Sequence, residues 1–465
     1  MLFTSMEFLI LFLPVTALVC FLLPRDTEAW NVWLLLASLL FYAWGEPYFV
    51  VVMALSILFN YGMARLMDGQ QKPKRKRLFL ALAVTGNIGV LFVFKYLNFV
   101  TSLFPGGIQT HIALPIGISF FTFQAMSYVI DVYRGAPVQR SLADFGLYVS
   151  FFPQLIAGPI VRYTTVMAEI KKRRMDWQGV SRGLCRFMRG FNKKVLLSNV
   201  FSVTAEYAFG TEGIGAGMAW LGALAYALQI FFDFSGYSDM AIGLGEVFGF
   251  HFAENFDYPY ISGSVTEFWR RWHMSLGSWF RDYVYFPLGG SRVEGKGRLI
   301  RNLLIVWCLT GIWHGANWTF ILWGLLYGAL IIFEKLTGLP KRLKKAAPPW
   351  RGLYRGVTLL AVLLGWVLFN ARDLPHAGEY LNRMFAAKTL FDGAFFRYLT
   401  EYRVFWIAGL LLSTPLFKKL KEKLAAGKES GYLACAAGLW QFFLFLCSVS
   451  CLVMNAHNPF IYFNF

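Results

Sequence analysis

Charge is what this chain of 465 residues has least of: only 15% of it is Asp, Glu, Lys or Arg, against about 25% in soluble domains. With 57% hydrophobic and 18% aromatic residues, that scarcity excludes a soluble body and leaves an integral membrane protein. The six cysteines (Cys20, Cys185, Cys308, Cys435, Cys447 and Cys451) have neither metal-knuckle spacing nor a disulfide framework, so they read as small buried hydrophobes. No repeat of roughly 20–50 residues stands out. The sizeable polar interruptions are loops near 335–351, 371–402 and 418–429, too short for a soluble domain. No Gly-x-Ser-x-Gly lies at a strand-to-helix turn, which argues against a serine nucleophile.

What is present is a succession of apolar spans: 7–23, 30–45, 48–66, 78–96, 112–132, 184–208, 217–234, 237–252, 302–314, 318–334, 352–370, 403–417 and 430–452. The fold expected is all-α and polytopic, with about 11–13 membrane helices and further re-entrant or interfacial pieces. A chain of this length would suit two or three soluble domains. Because its apolar spans recur end to end, one membrane-embedded body over 1–465 is expected instead. The first span lacks a preceding basic segment and is followed by Pro24-Arg25-Asp26, so it reads as a retained helix rather than a cleaved signal.

The net charge of +18 comes largely from basic residues in short loops: KPKRKR (72–77), KKRR (171–174), KRLKK (341–345) and KKLKEK (418–423). This is the positive-inside pattern, with anionic lipid headgroups rather than nucleic acid as counterions. With 72–77 cytoplasmic, three crossings precede it and the amino terminus faces outward. The segment 144–159 has basic residues on both flanks, so it is expected to re-enter rather than cross.

Of six histidines, two stand inside apolar sequence: His273 in TEFWRRWHMSLGSWFRDY and His314 in TGIWHGANWT. Ionisable groups at bilayer depth are costly and are functional by default, and imidazole is suited to taking and returning a proton near neutral pH. The span 302–314 provides roughly 20 Å of helix at 1.5 Å per residue. Started at the interface by Arg298 and Arg301, it leaves His314 inside a hydrocarbon core about 30 Å thick. Gly311 and Gly315 weaken the helix there. A neutral imidazole in a water-accessible cavity could activate a hydroxyl toward an acyl group. A structural histidine bonded to a backbone carbonyl at a helix break fits the pattern equally well. At helical spacing Trp269, His273, Leu276 and Phe280 share a face, and tryptophan packing is the competing account of His273.

Asp233 and Asp239 in FFDFSGYSDMAIGLG could bond to the histidines, or mark a polar bend between two helices. A zinc site lacks ligands, since no Cys, His or carboxylate cluster completes a set, and no metal is expected. Arg182, Arg186, Arg189 and Lys193 fall on one helical face. They could hold phosphates through charge-assisted bonds, or anchor lipid headgroups.

The motifs FFDFSGYSDMAIGLG (231–245), ENFDYPYISGSVTEFWRRWHMSLGSWFRDYVYFPLGG (254–290) and GIWHGANWTFILWG (311–324) resemble those of the membrane-bound O-acyltransferases (MBOAT), and among them the alginate O-acetylation type. LPIGISFFTFQAMSYVIDVYRG, FPQLIAGPIVR, GFNKKV and the final FIYFNF agree, so the likeness runs through nearly the whole chain, with the core motifs at 112–334 followed by helices over 352–465. The resemblance implies a ring of helices around a thinned membrane centre, with His314 as principal catalytic residue and His273 as a second functional one. Asn317, close behind the motif, is a candidate for orienting the acyl carbonyl.

It further implies a multi-pass protein of a bacterial cytoplasmic membrane, with no tightly bound cofactor and with acetyl-CoA as donor substrate. The acetyl group would pass toward an exported polysaccharide such as alginate or peptidoglycan, helped by an extracytoplasmic SGNH-type transferase. Transfer of D-alanine to teichoic acid from a carrier protein is the near alternative. A transporter or flippase using the histidines as a proton relay is the distant one, and it lacks the inverted repeat such folds often show.

Overall fold

The computed structural model describes residues 1–24, 27–107, 109–156, 158–425, 430–454 and 458–461. Among the described residues there are helices and no strands. Arg25, Asp26 and the last four residues of the FIYFNF tail lie outside them.

Six of these helices are long and apolar enough to cross a membrane: Phe49–Asp68, Pro73–Thr101, Ala216–Val247, Trp318–Thr337, Pro348–Asn370 and Cys435–Met454. Shorter apolar helices, Glu7–Leu22 and Arg403–Leu412, accompany them. Burial sorts the six. The apolar window of Ala216–Val247 is 89% buried, whereas that of Cys435–Met454 is 6% buried. The first is therefore a core helix, and the second offers Leu439, Phe442 and Leu446 outward, as a lipid-facing helix does.

The chain forms two compact units, Met1–Phe187 with Ser238–Ala253, and Met188–Tyr237 with Glu254–Phe465. In the first, Ile118–Tyr133 is buried on nearly every side. It starts later than the apolar run at 112 suggests, because Gly117 takes a left-handed conformation (φ 76°) just before it. The segment expected to re-enter is two short helices, Leu142–Ser150 and Phe152–Leu155, neither long enough to span.

Three expectations are corrected. The spans 217–234 and 237–252 are one continuous helix, Ala216–Val247. No polar bend is needed, because the two aspartates have cationic partners, and Gly236 is held where a Cβ would come within 2.8 Å of the Gly190 carbonyl. The span opening at 184 begins at Trp177 and passes through a π-helical stretch, Lys193–Ser198, into Asn199–Gly210. The helix ending at His314 begins at Lys296, so its basic first turns extend it while its apolar part remains as short as expected.

Candidate active site

His314 is the last residue of Lys296–His314; Gly315 turns extended, and Trp318–Thr337 follows. The two helices form a hairpin so close that its glycines are obligatory. A Cβ on Gly311 would lie 2.4 Å from the Phe320 carbonyl, and one on Gly324 would lie 2.3 Å from that of Trp307. Gly311 thus serves close approach rather than weakness of the helix. The His314 ring meets Trp313 and Trp323 at 5.0 Å each and Phe369 at 5.2 Å, the last two nearly edge-on to it or tilted against each other.

His273 sits differently from its periodicity. The helix breaks there, into Val265–Arg271 and Met274–Phe280, with His273 left-handed between them (φ 46°, ψ 53°). The common face of Trp269, His273, Leu276 and Phe280 therefore does not exist. Asn255–Asp257 runs alongside and holds the break: Asp257 N–H donates to the Arg271 carbonyl, and Met274 N–H donates to the Asn255 carbonyl, both at 2.9 Å. Only His273 and Tyr258, among described residues other than glycine, have positive φ. Such a conformation costs about 1–3 kcal/mol and clusters at functional sites.

The Asn255 side chain fixes the imidazole as well. Its Oδ1 accepts from Ser275 N–H at 3.1 Å and from the Ser275 hydroxyl at 2.9 Å, so it is an acceptor. His273 Nδ1, 3.3 Å from the same oxygen, is then the protonated nitrogen, and Nε2 carries the lone pair. The ring lies between Phe234 and Phe256, at 6.1 and 6.3 Å. Trp313 brings the histidines together, its indole 6.2 Å from His273 and 5.0 Å from His314. Trp269 locks the same wall, packing on Trp307, Trp323 and Tyr327.

The aspartates have cationic partners. Asp233 forms a fully buried ion pair with Lys194 at 2.7 Å, and Asp239 pairs with Arg186 at 3.0 Å. Each satisfies a charge that the apolar helix could not otherwise bury. The first pair also gathers the chain's far end: Lys194 donates to the Pro459 carbonyl, Ile461 N–H donates to Asp233 at 3.1 Å, and Asn199 holds Asn458. Lys194 and Asn255 are the residues the sequence did not single out. Both stood in recognised motifs, GFNKKV and ENFDYP, but nothing in the spacing marked their partners.

Asn317 is a helix cap. Its Oδ1 accepts from Thr319 N–H, and its Nδ2 donates to the Arg372 carbonyl at 2.7 Å. Of the basic stripe, Arg182 pairs with Glu246 at 2.6 Å and Arg186 with Asp239, while Arg189 is exposed and Lys193 half-buried. Among the described residues no three His, Cys, Asp or Glu side chains gather as a metal would need.

Comparison with known proteins adds a consistent set of relatives. The model of the membrane-bound O-acyltransferase family matches residues 37–346. A probable alginate O-acetylase of Pseudomonas putida is 43% identical over 400 residues, covering 83% of this chain and 80% of that protein. A peptidoglycan O-acetyltransferase of Helicobacter pylori is 35% identical over 422 residues, covering 83% and 80%. A teichoic acid D-alanyltransferase of Bacillus subtilis is 27% identical over 322 residues, covering 63% and 78%.

Proposed function

On the premise that this chain belongs to the membrane-bound O-acyltransferase family and is a multi-pass membrane O-acyltransferase, we propose that it passes acetyl from cytoplasmic acetyl-CoA toward hydroxyls of an exported polysaccharide. The likeness to alginate and peptidoglycan O-acetylating relatives, at higher identity and coverage than to the D-alanyl one, supports acetyl and a glycan acceptor. An extracytoplasmic transferase would complete delivery to the sugar. The basic loops support a cytoplasmic membrane location with the amino terminus outward.

In this reading His314 is the general base. Its imidazole takes the proton of an acceptor hydroxyl as that oxygen attacks the thioester carbonyl; the carbon–oxygen bond forms and the carbon–sulfur bond breaks. The imidazolium then returns the proton to the departing thiolate. His273, with Nε2 as its basic nitrogen, stands across Trp313 as the second functional group. Donor phosphates fall to the stripe of Arg182, Arg186, Arg189 and Lys193, where a phosphate at Arg182 or Arg186 would compete with Glu246 and Asp239.

The observation that carries the proposal is the meeting of both motif histidines at one indole, one at a helix end and one at a strained break. The test replaces His314 by Ala, with membrane level and thermal midpoint matched to the unaltered protein. Glycan-bound acetyl should fall by about 100-fold or more; undiminished acetylation would overturn the assignment.

A further inference from the structure

Glu334 has no place in the chemistry above, yet it is a carboxylate only 3% exposed near the far end of the helix that follows His314. Three donors converge on it. Oε1 accepts from Val265 N–H at 2.8 Å and from the Tyr354 hydroxyl at 2.7 Å, and Oε2 accepts from Thr266 N–H at 2.8 Å. With Ser264 capping Glu267 N–H at 3.1 Å, the opening amides of Val265–Arg271 are satisfied. That helix is the one whose end breaks at His273.

The topology makes this more than a cap. Trp318–Thr337 is locked to the His314 helix through Gly311 and Gly324, where added Cβ atoms would meet backbone within 2.5 Å. Glu334 therefore joins the hairpin that carries His314 to the element that carries His273. Trp269 provides the other attachment, among Trp307, Trp323 and Tyr327. A rigid packing contact fixes the spacing of two elements, while a doubly accepting carboxylate also fixes rotation of one about the other, because both of its oxygens are engaged.

We propose that Glu334 is a positioning residue that sets His273 against His314, so that its loss slows acyl transfer through His273 alone. This rests on the reading of the two histidines given above. The element Val265–Phe280 has its own hold on His273 through Asn255, so the left-handed turn survives without Glu334 while its placement relaxes. A glutamine keeps the size of the side chain but offers one acceptor oxygen where three donors converge.

The experiment is a double-mutant cycle in the full-length protein in native membranes, with radiolabelled acetyl-CoA as donor and glycan-bound label as the readout. The expected result is that Glu334→Gln lowers turnover at saturating donor by about tenfold, leaves the apparent KM for acetyl-CoA within about twofold, and has almost no effect in the His273→Ala background. Equal fold losses in both backgrounds, or a rise in KM alone, would overturn the proposal and leave Glu334 a structural cap. Tyr354→Phe, which removes one donor and leaves both backbone contacts, should lose a smaller factor with the same dependence on His273. It decides the matter even where Glu334→Gln does not accumulate. The His273→Ala arm alone reports on the underlying reading: full turnover there overturns the site, whereas a loss there with additive Glu334 effects overturns only the positioning role.

Discussion

His376 and His314 lie in the same compact unit and are equally buried, 7% exposed each, yet their described surroundings differ. His376 spends both nitrogens on backbone: Nδ1 accepts from Arg372 N–H at 3.2 Å, and Nε2 faces the Phe209 carbonyl at 3.0 Å as the donor of the neutral ring. That is a structural histidine. His314 is walled by the rings of Trp313, Trp323 and Phe369 at the point where a helix stops. Burial of an ionisable side chain does not by itself distinguish a working group from a structural one, and the role proposed for His314 is what the following substitutions test.

The sharpest test of that contrast is a pair of alanine substitutions. His314→Ala should remove about 100-fold or more of the acetyl transfer while leaving the thermal midpoint near its starting value. The opposite pattern, normal transfer in a destabilised protein, would make it another His376. The buried ion pair comes next in size. Lys194→Met alone should cost about 3–5 kcal/mol, because it strands Asp233 in an apolar interior. Adding Asp233→Leu should restore most of that in denaturation of the detergent-solubilised protein, and failure of the double variant to recover would show that the pair acts through the residues it gathers at 458–461.

His376→Ala should cost about 1–3 kcal/mol by leaving the Phe209 carbonyl and the Arg372 amide without it, with turnover per folded molecule unchanged. A loss of turnover at full stability would erase the distinction between the two histidines. Smallest is Asn317→Ala, at about 1 kcal/mol for a lost cap. A drop in turnover with no drop in thermal midpoint would return Asn317 to the acyl carbonyl.

How much of this was legible follows from what each feature depends on. The all-helical membrane character follows from composition, and the end of the His314 helix was legible because glycine and the next apolar run both punctuate it. The continuity of Ala216–Val247 was not, since two aspartates in apolar sequence look like a break until Lys194 and Arg186, distant in the chain, are placed beside them. The break at His273 was hidden for a related reason. Local spacing continues the helix, whereas Asn255, 18 residues earlier, supplies the hydrogen bonds that reverse it. Propensity describes neighbours in sequence, and these decisions were made by neighbours in space.

The left-handed turn at His273 carries an evolutionary consequence. Glycine adopts that conformation without penalty, so the backbone itself would favour glycine over histidine there. On the proposed role of His273, a functional imidazole stands at a strained turn, so relaxation of the backbone and activity pull in opposite directions at this one position. Thermostabilised descendants of this protein should accumulate their changes elsewhere.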